Sequence, residues 1–199
     1  MIHPKEKLVT PEEYLAREAQ AEYKSEYHNG EMYALAGGSV NHNQIVVNLT
    51  VSFSRLFERK PCRVFATDVR LHIKQSGLYT YPDVMVVCGK IEFVPGRDDT
   101  VMNPIVLVEA WSDSTQAYDR GEKFALYRQI PSSQEYVMID QTQPYVEHFR
   151  REGNFWVLET LEQMDAILIL PSLECEIPLA VMYEKVEWQE VSNGNENRS

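Results

Sequence analysis

Apolar positions recur every three to four residues in some stretches of this chain and every second residue in others, and that contrast predicts its elements. TPEEYLAREA, residues 10–19, predicts a helix start: Thr10 as N-cap, Pro11 at the first helical position, and Glu12 and Glu13 in the first turn. In SEYHNGEMYALAGG the Asn29-Gly30 pair is a strong hairpin signal, so short strands should flank it, and Gly37-Gly38 closes the unit. From Val40 to Arg59 the spacing is helical again. Ile45, Leu49, Ser52, Phe53 and Leu56 share a face, and His42, one turn earlier, turns inward with them.

Strands follow. CRVFATDVRLHIK alternates, with Phe65, Val69, Leu71 and Ile73 on one side and Asp68, Arg70, His72 and Lys74 on the other. After a Ser76-Gly77 turn, YTYPDVMVVC predicts a second strand, in which Pro82 is tolerated only near the start or an edge. A charged loop with Pro95 and Gly96 leads to a third, NPIVLVEAW. STQAYDRGEKFALYRQI predicts a loop and a helix ending before Pro131, and EYVMIDQ, PYVEHFRREG and NFWVLETL predict three more strands. DAILILPSLECEIPLAVMYEKV holds short strands and one helical turn near Leu179–Tyr183. No internal repeat or linker interrupts this order. It predicts one α+β (α/β) domain over residues 1–186, with a mixed central β-sheet flanked by helices, and a disordered tail over 187–199 ending in VSNGNENRS.

The composition narrows the class. A chain of 199 residues with 44% hydrophobic content can bury a real core. It has no apolar run of about 18 residues, and its first twenty residues lack the apolar core of a signal peptide, so a soluble cytoplasmic protein is expected. Cys62, Cys88 and Cys175 are widely spaced and odd in number, which predicts reduced cysteines packed in strands rather than a disulfide framework or a thiolate zinc site. A net charge of −11 argues against loose, charge-driven binding of nucleic acid. It leaves room for a small basic site and suits a pocket that attracts metal cations.

The candidate chemistry centres on Glu109, which follows the apolar run Ile105-Val106-Leu107-Val108. A carboxylate there is costly to bury without a partner. Asp83 opens the preceding strand, and in a meander the two acids would sit side by side. At about 5 Å two carboxylates repel by roughly 3 kcal/mol at an effective dielectric near 20. A cation between them, or a shared proton, relieves the repulsion. Oxygen-only ligands select hard ions such as Mg2+ or Mn2+, and such an ion serves phosphodiester hydrolysis. The plainer alternatives are Asp83 as a turn residue and Glu109 paired with an arginine such as Arg70.

Pro82-Asp83 followed by Glu109 at a strand end resembles the PD-(D/E)XK nuclease superfamily, whose fold is restriction-endonuclease-like. HNGEMYALAGGSVNHNQIVVNL, CRVFATDVRL, YTYPDVMVVCG, NPIVLVEAWSDST, YDRGEKFALYRQIPSSQEYVMIDQ and VEHFRREG together resemble a bacterial restriction endonuclease family abundant in cyanobacteria, over about residues 8–186. The resemblance implies a Mg2+-dependent (or Mn2+-dependent) endonuclease that hydrolyses phosphodiester bonds in DNA, commonly as a homodimer and with no membrane association. It implies Asp83, Glu109 and the Ala110 backbone carbonyl as metal ligands, and Glu31 as an early acid completing the site. The superfamily places a lysine two residues after the acid. Here Trp111 stands there, and Lys123 in YDRGEKF, four residues after Asp119 on one helix face, is the candidate replacement. The segment after Trp111 also departs, reading Ser112-Asp113-Ser114-Thr115.

Each residue has a duller reading. Lys123 could be solvated, and Glu31 could be an ordinary exposed acid after its turn. His42 and Asn43 could cap or fill the core rather than touch a substrate phosphate. Arg70 could form an ion pair with Asp68 rather than bind substrate. Tyr118 and Tyr127 read as packing residues. The rival functions are a catalytically inactive binding or assembly module that keeps the fold, and a phosphoesterase acting on RNA or a small nucleotide.

Overall fold

The computed structural model describes residues 8–188. Helix α1 spans Pro11–Glu18 behind a complete capping box: the Thr10 hydroxyl accepts from Glu13 N, and the Glu13 carboxylate accepts from Thr10 N. Strands β1 (Ser25–His28) and β2 (Glu31–Ala34) pair through Asn29 and Gly30, which hold φ of 52° and 92°. Positive φ at both turn residues is what the Asn-Gly signal foretold. Helix α2 (Val40–Leu56) buries Ile45, Val46, Leu49 and Phe53. Phe57 extends that face at the next i+4 step, whereas Leu56, expected on it, is 41% exposed.

The two long strands expected next each break in the middle. CRVFATDVRLHIK forms β3 (Cys62–Ala66) and β4 (Arg70–Ile73), and LYTYPDVMVVC forms β5 (Leu78–Thr80) and β6 (Val84–Cys88). The breaks lie opposite each other: Thr67, at φ 51°, donates its N–H to the Asp83 carbonyl, and Pro82 has no N–H to give a ladder. One antiparallel ribbon is therefore bent, so that β3–β6 joins one sheet and β4–β5 another. The turn at 67–69 also ends the alternation expected there. Asp68 pairs with Lys24, and Arg70 with Asp99 at 3.6 Å, instead of with each other.

The remaining strands are β7 (Thr100–Val101), β8 (Val106–Trp111), β9 (Glu135–Asp140), β10 (Val146–Glu152), β11 (Phe155–Leu161), β12 (Ile167–Leu170) and β13 (Cys175–Pro178). The larger sheet runs β11-β10-β9-β8-β6-β3 and is the expected mixed sheet, parallel at β8–β9 and antiparallel elsewhere. A second, five-stranded sheet runs β2-β1-β5-β4-β7.

One face of the larger sheet packs on α2, the β12–β13 hairpin and α5 (Leu179–Met182). The other packs on Leu71, Ile73 and Leu78 of the second sheet and on Leu126, Tyr127 and Ile130. The helical stretch between β8 and β9 comprises α3 (Gln116–Tyr118), a π-helical turn over Asp119–Lys123 and α4 (Phe124–Tyr127).

Two expectations change. Cys62 and Cys88 are cross-strand partners in β3 and β6 and form a disulfide, although 26 residues separate them in sequence; only Cys175 is free among the described residues. Of the tail expected over 187–199, Glu187 and Trp188 are ordered against the body: Glu187 bonds Asn41, and Trp188 meets Tyr183 edge-on. The rest of that tail lies outside the described residues.

Candidate active site

Asp83 and Glu109 emerge at the same end of the larger sheet. Antiparallel pairing of Val84 with Val108 sets Asp83 beside the Glu109-Ala110 peptide. Asp83 Oδ2 accepts the Ala110 N–H at 2.8 Å and meets His42 Nε2 at 2.9 Å. Both acids line a cleft of about 440 Å3, together with Glu26, His42, Ala110, Tyr118, Asp119 and Lys123. Asp83 lies in the bend described above, between β5 and β6, and faces the cleft from there.

Trp111 lies on the same side of β8 as Glu109, fully buried and edge-on to Tyr145. The motif's lysine position is thus filled with core. Lys123 supplies the ammonium instead, from the widened turn whose Phe124 N–H bonds Asp119 O five residues back. Its Nζ lies 3.0 Å from Glu109, 3.4 Å from Glu26 and 3.6 Å from Asp119, within 5.9 Å of the Tyr118 and Tyr127 ring centres. The structure therefore joins Asp83, Glu109 and Lys123 in one cleft. Tyr127 does more than pack: its hydroxyl donates to Glu109 Oε1 at 2.6 Å.

Other candidates lie elsewhere. Glu31 is exposed on the edge strand β2 and accepts from the Tyr33 hydroxyl. Glu26, one strand inward and only 5% exposed, takes the place expected for it. Asn43 is exposed and does not line the cleft. Arg70 is buried, donating to the Tyr81 hydroxyl and to Thr100, so it serves the packing between α1 and the second sheet. His42 has no nitrogen free for a phosphate, since Nε2 meets Asp83 and Nδ1 is buried. Asp113 is exposed and off the cleft wall, so the altered segment still presents Ser112, Ser114 and Thr115 to the cleft. Exposed Glu31→Ala is expected to leave both melting temperature and any cleavage within experimental scatter; Glu26→Ala, which uncovers Lys123, is expected to lower both.

Charge in the cleft is unbalanced: four carboxylates, Glu26, Asp83, Glu109 and Asp119, face one ammonium and one imidazole. Burial pushes Glu109 up to about 8; Lys123 pulls it down, while Asp83 and Asp119 add to the rise. Burial also raises Asp119 against the pull of Lys123. Burial alone would lower Lys123, but Glu109, Glu26 and Asp119 outweigh it and hold the ammonium well above its usual range. The three acids therefore favour the ammonium form of Lys123. The hydrogen bond to Asp83 raises His42 against the opposing effect of burial.

A group whose folded pKa is raised gives stability at low pH that is lost as pH climbs through the folded value. For Glu109 that window runs from the usual 4.5 to about 8. Thermal melts in chelator should therefore show Glu109→Gln gaining on wild type as pH rises through this window; a constant difference between the two proteins would refute the assignment.

The donor set fits a hard dication. Glu109 Oε1 is held by Tyr127 and Lys123, and Asp83 Oδ2 by Ala110 and His42, while Glu109 Oε2 and Asp83 Oδ1 meet no donor among the described residues. Among the described residues no three side chains of His, Cys, Asp or Glu converge as a metal cage. Two carboxylates and the Ala110 carbonyl need no such cage, because Mg2+ keeps several waters and takes only one or two carboxylates.

A mixed sheet flanked by helices, with acids gathered at one end, places the chain in the α+β class. The chain belongs to the Uma2 family, described as "Putative restriction endonuclease", whose model matches residues 11–182. Two relatives come from Synechocystis sp. One, "Uncharacterized protein sll1609", is 39% identical over 162 residues, covering 81% of this chain and 92% of that protein. The other, "Uncharacterized protein slr1290", is 33% identical over 178 residues, covering 88% and 91%. A crystal structure of "a putative nuclease belonging to DUF820" from Anabaena variabilis shares the fold, with a TM-score of 0.66 at 17% identity over 82% of this chain and 91% of that one. Among the described residues no helix is long and apolar enough to cross a membrane.

Glu26 was the residue the sequence did not disclose. Its only signal is alternation in SEYH, which cannot tell which hairpin strand acquires a second neighbour.

Proposed function

We propose that this chain is a divalent-metal-dependent endonuclease that hydrolyses phosphodiester bonds in DNA. One observation carries the reading: Asp83 and Glu109 share a cleft, each with one oxygen fixed by the protein and one without a partner among the described residues, beside an ammonium. Asp83, Glu109 and the Ala110 carbonyl would hold Mg2+ or Mn2+. When bound, such an ion lowers the pKa of a water and neutralises charge on the phosphate. Lys123 donates a hydrogen bond to the attacking water or a phosphate oxygen and adds fixed positive charge. Glu26 and Asp119 hold that ammonium at the cleft wall. Two copies acting as a homodimer would serve two strands.

The test is supercoiled plasmid incubated with the purified chain and Mg2+ or Mn2+, beside single-stranded DNA and RNA. Nicking that chelator stops supports the reading. No cleavage of any of these substrates with either ion would overturn it. One observation favours a non-catalytic binding or assembly module instead: three carboxylates lie within 3.6 Å of the Lys123 ammonium. That module would leave every substrate intact.

A further inference from the structure

We infer that His42 is a positioning residue, holding the Asp83 carboxylate so that one chosen oxygen is presented to the cleft. The inference rests on the reading of Asp83 as a cation ligand and adds the means by which that ligand is aimed. Asp83 lies in the bend between two ladders, outside the paired residues of β5 and β6. Two donors converge on the single oxygen Oδ2: Ala110 N–H at 2.8 Å and His42 Nε2 at 2.9 Å. Two hydrogen bonds to one oxygen fix the plane of the carboxylate and leave Oδ1 as its open side. An ionised carboxylate only accepts, so Nε2 is the protonated nitrogen in this contact.

The imidazole is itself held. The Ser39 hydroxyl caps α2 by accepting the His42 N–H at 3.1 Å, which fixes the backbone that carries the ring. Gly38 lies flat against the ring: a Cβ at that position would stand 2.4 Å from Nδ1 and 2.9 Å from Cγ. Nδ1 is buried and has no hydrogen-bond partner among the described residues. Buried ring nitrogens are ordinarily satisfied. A ring that leaves one nitrogen unpaired while the other meets Asp83 is placed for the contact with Asp83. A simple capping histidine would need only its backbone.

The test is Mn2+ affinity, measured by calorimetry and by electron paramagnetic resonance of free Mn2+, beside thermal melts. The proteins are wild type, Asp83→Asn, His42→Ala, His42→Gln and Gly38→Ala. Loss of a group that orients a metal ligand costs about 10- to 100-fold in affinity, and His42→Ala should lose that much while still folded. His42→Gln, whose amide can reach the Nε2 position, should recover part of the loss. Gly38→Ala keeps the imidazole but displaces it and should weaken binding as well. If wild type binds Mn2+, Asp83→Asn does not, and His42→Ala binds like wild type with only a lowered melting temperature, then positioning is wrong and the metal site stands. If wild type itself binds no Mn2+, the metal reading fails and the inference falls with it.

Discussion

Asp83→Asn is expected to abolish Mg2+-dependent plasmid nicking, by roughly a thousand-fold or more, while the protein folds and melts like wild type. Asparagine is the informative substitution because its amide oxygen can still accept the Ala110 N–H at 2.8 Å. Alanine would leave that N–H unpaired in a half-buried site, at a cost of about 1–3 kcal/mol, and would mix a folding defect with the chemistry. The expected size follows from what the charge supplies. Groups that stabilise transition-state charge contribute about 100- to 1,000-fold each, and loss of a ligand removes the Lewis acid as well. Residual nicking equal to that of wild type would mean that the activity, if any, resides elsewhere or in a contaminant.

Lys123→Met should have the largest effect on stability. Removing one partner from a buried ion cluster costs about 3–5 kcal/mol, because the charges left behind have no counter-ion. For a chain of this size that lowers the melting temperature by on the order of 10 °C. The loss should be greatest near pH 8 and smaller near pH 5, where Glu109 is protonated and less charge is stranded. A second substitution, Glu109→Gln, should restore much of the stability without restoring cleavage. The discriminating measurement is the double-mutant cycle of melts at the two pH values. Additive losses would show that Lys123 does not compensate Glu109, against the 3.0 Å contact.

Local signals carried over well where the physics is local. The Thr10 cap, the Asn29-Gly30 turn and, Leu56 apart, the inward face of α2 depend on a few neighbouring residues and formed as their spacing implied. The Asp83–Glu109 juxtaposition was also legible, since a single antiparallel pairing suffices to create it. Features set by distant segments were not. Nothing in CRVFATDVRLHIK marks Thr67 as the point where one ribbon changes sheets, because that depends on Pro82 opposite. Cys62 and Cys88 meet only once β3 and β6 are in register. The sequence pointed to Glu31 and not to Glu26, because only the second sheet makes β1 interior and β2 an edge.

The widened turn over Asp119–Lys123 sets a rotational phase. A regular helix advances about 100° per residue, so excising Gly121 and restoring ordinary winding would rotate the following segment by about that angle against the preceding one. Either Lys123 would then swing away from its three acids, or Leu126, Tyr127 and Ile130 would be pulled off the sheet. The one-residue surplus in that helix is what lets a single short segment serve the apolar interior and the charged cleft at once.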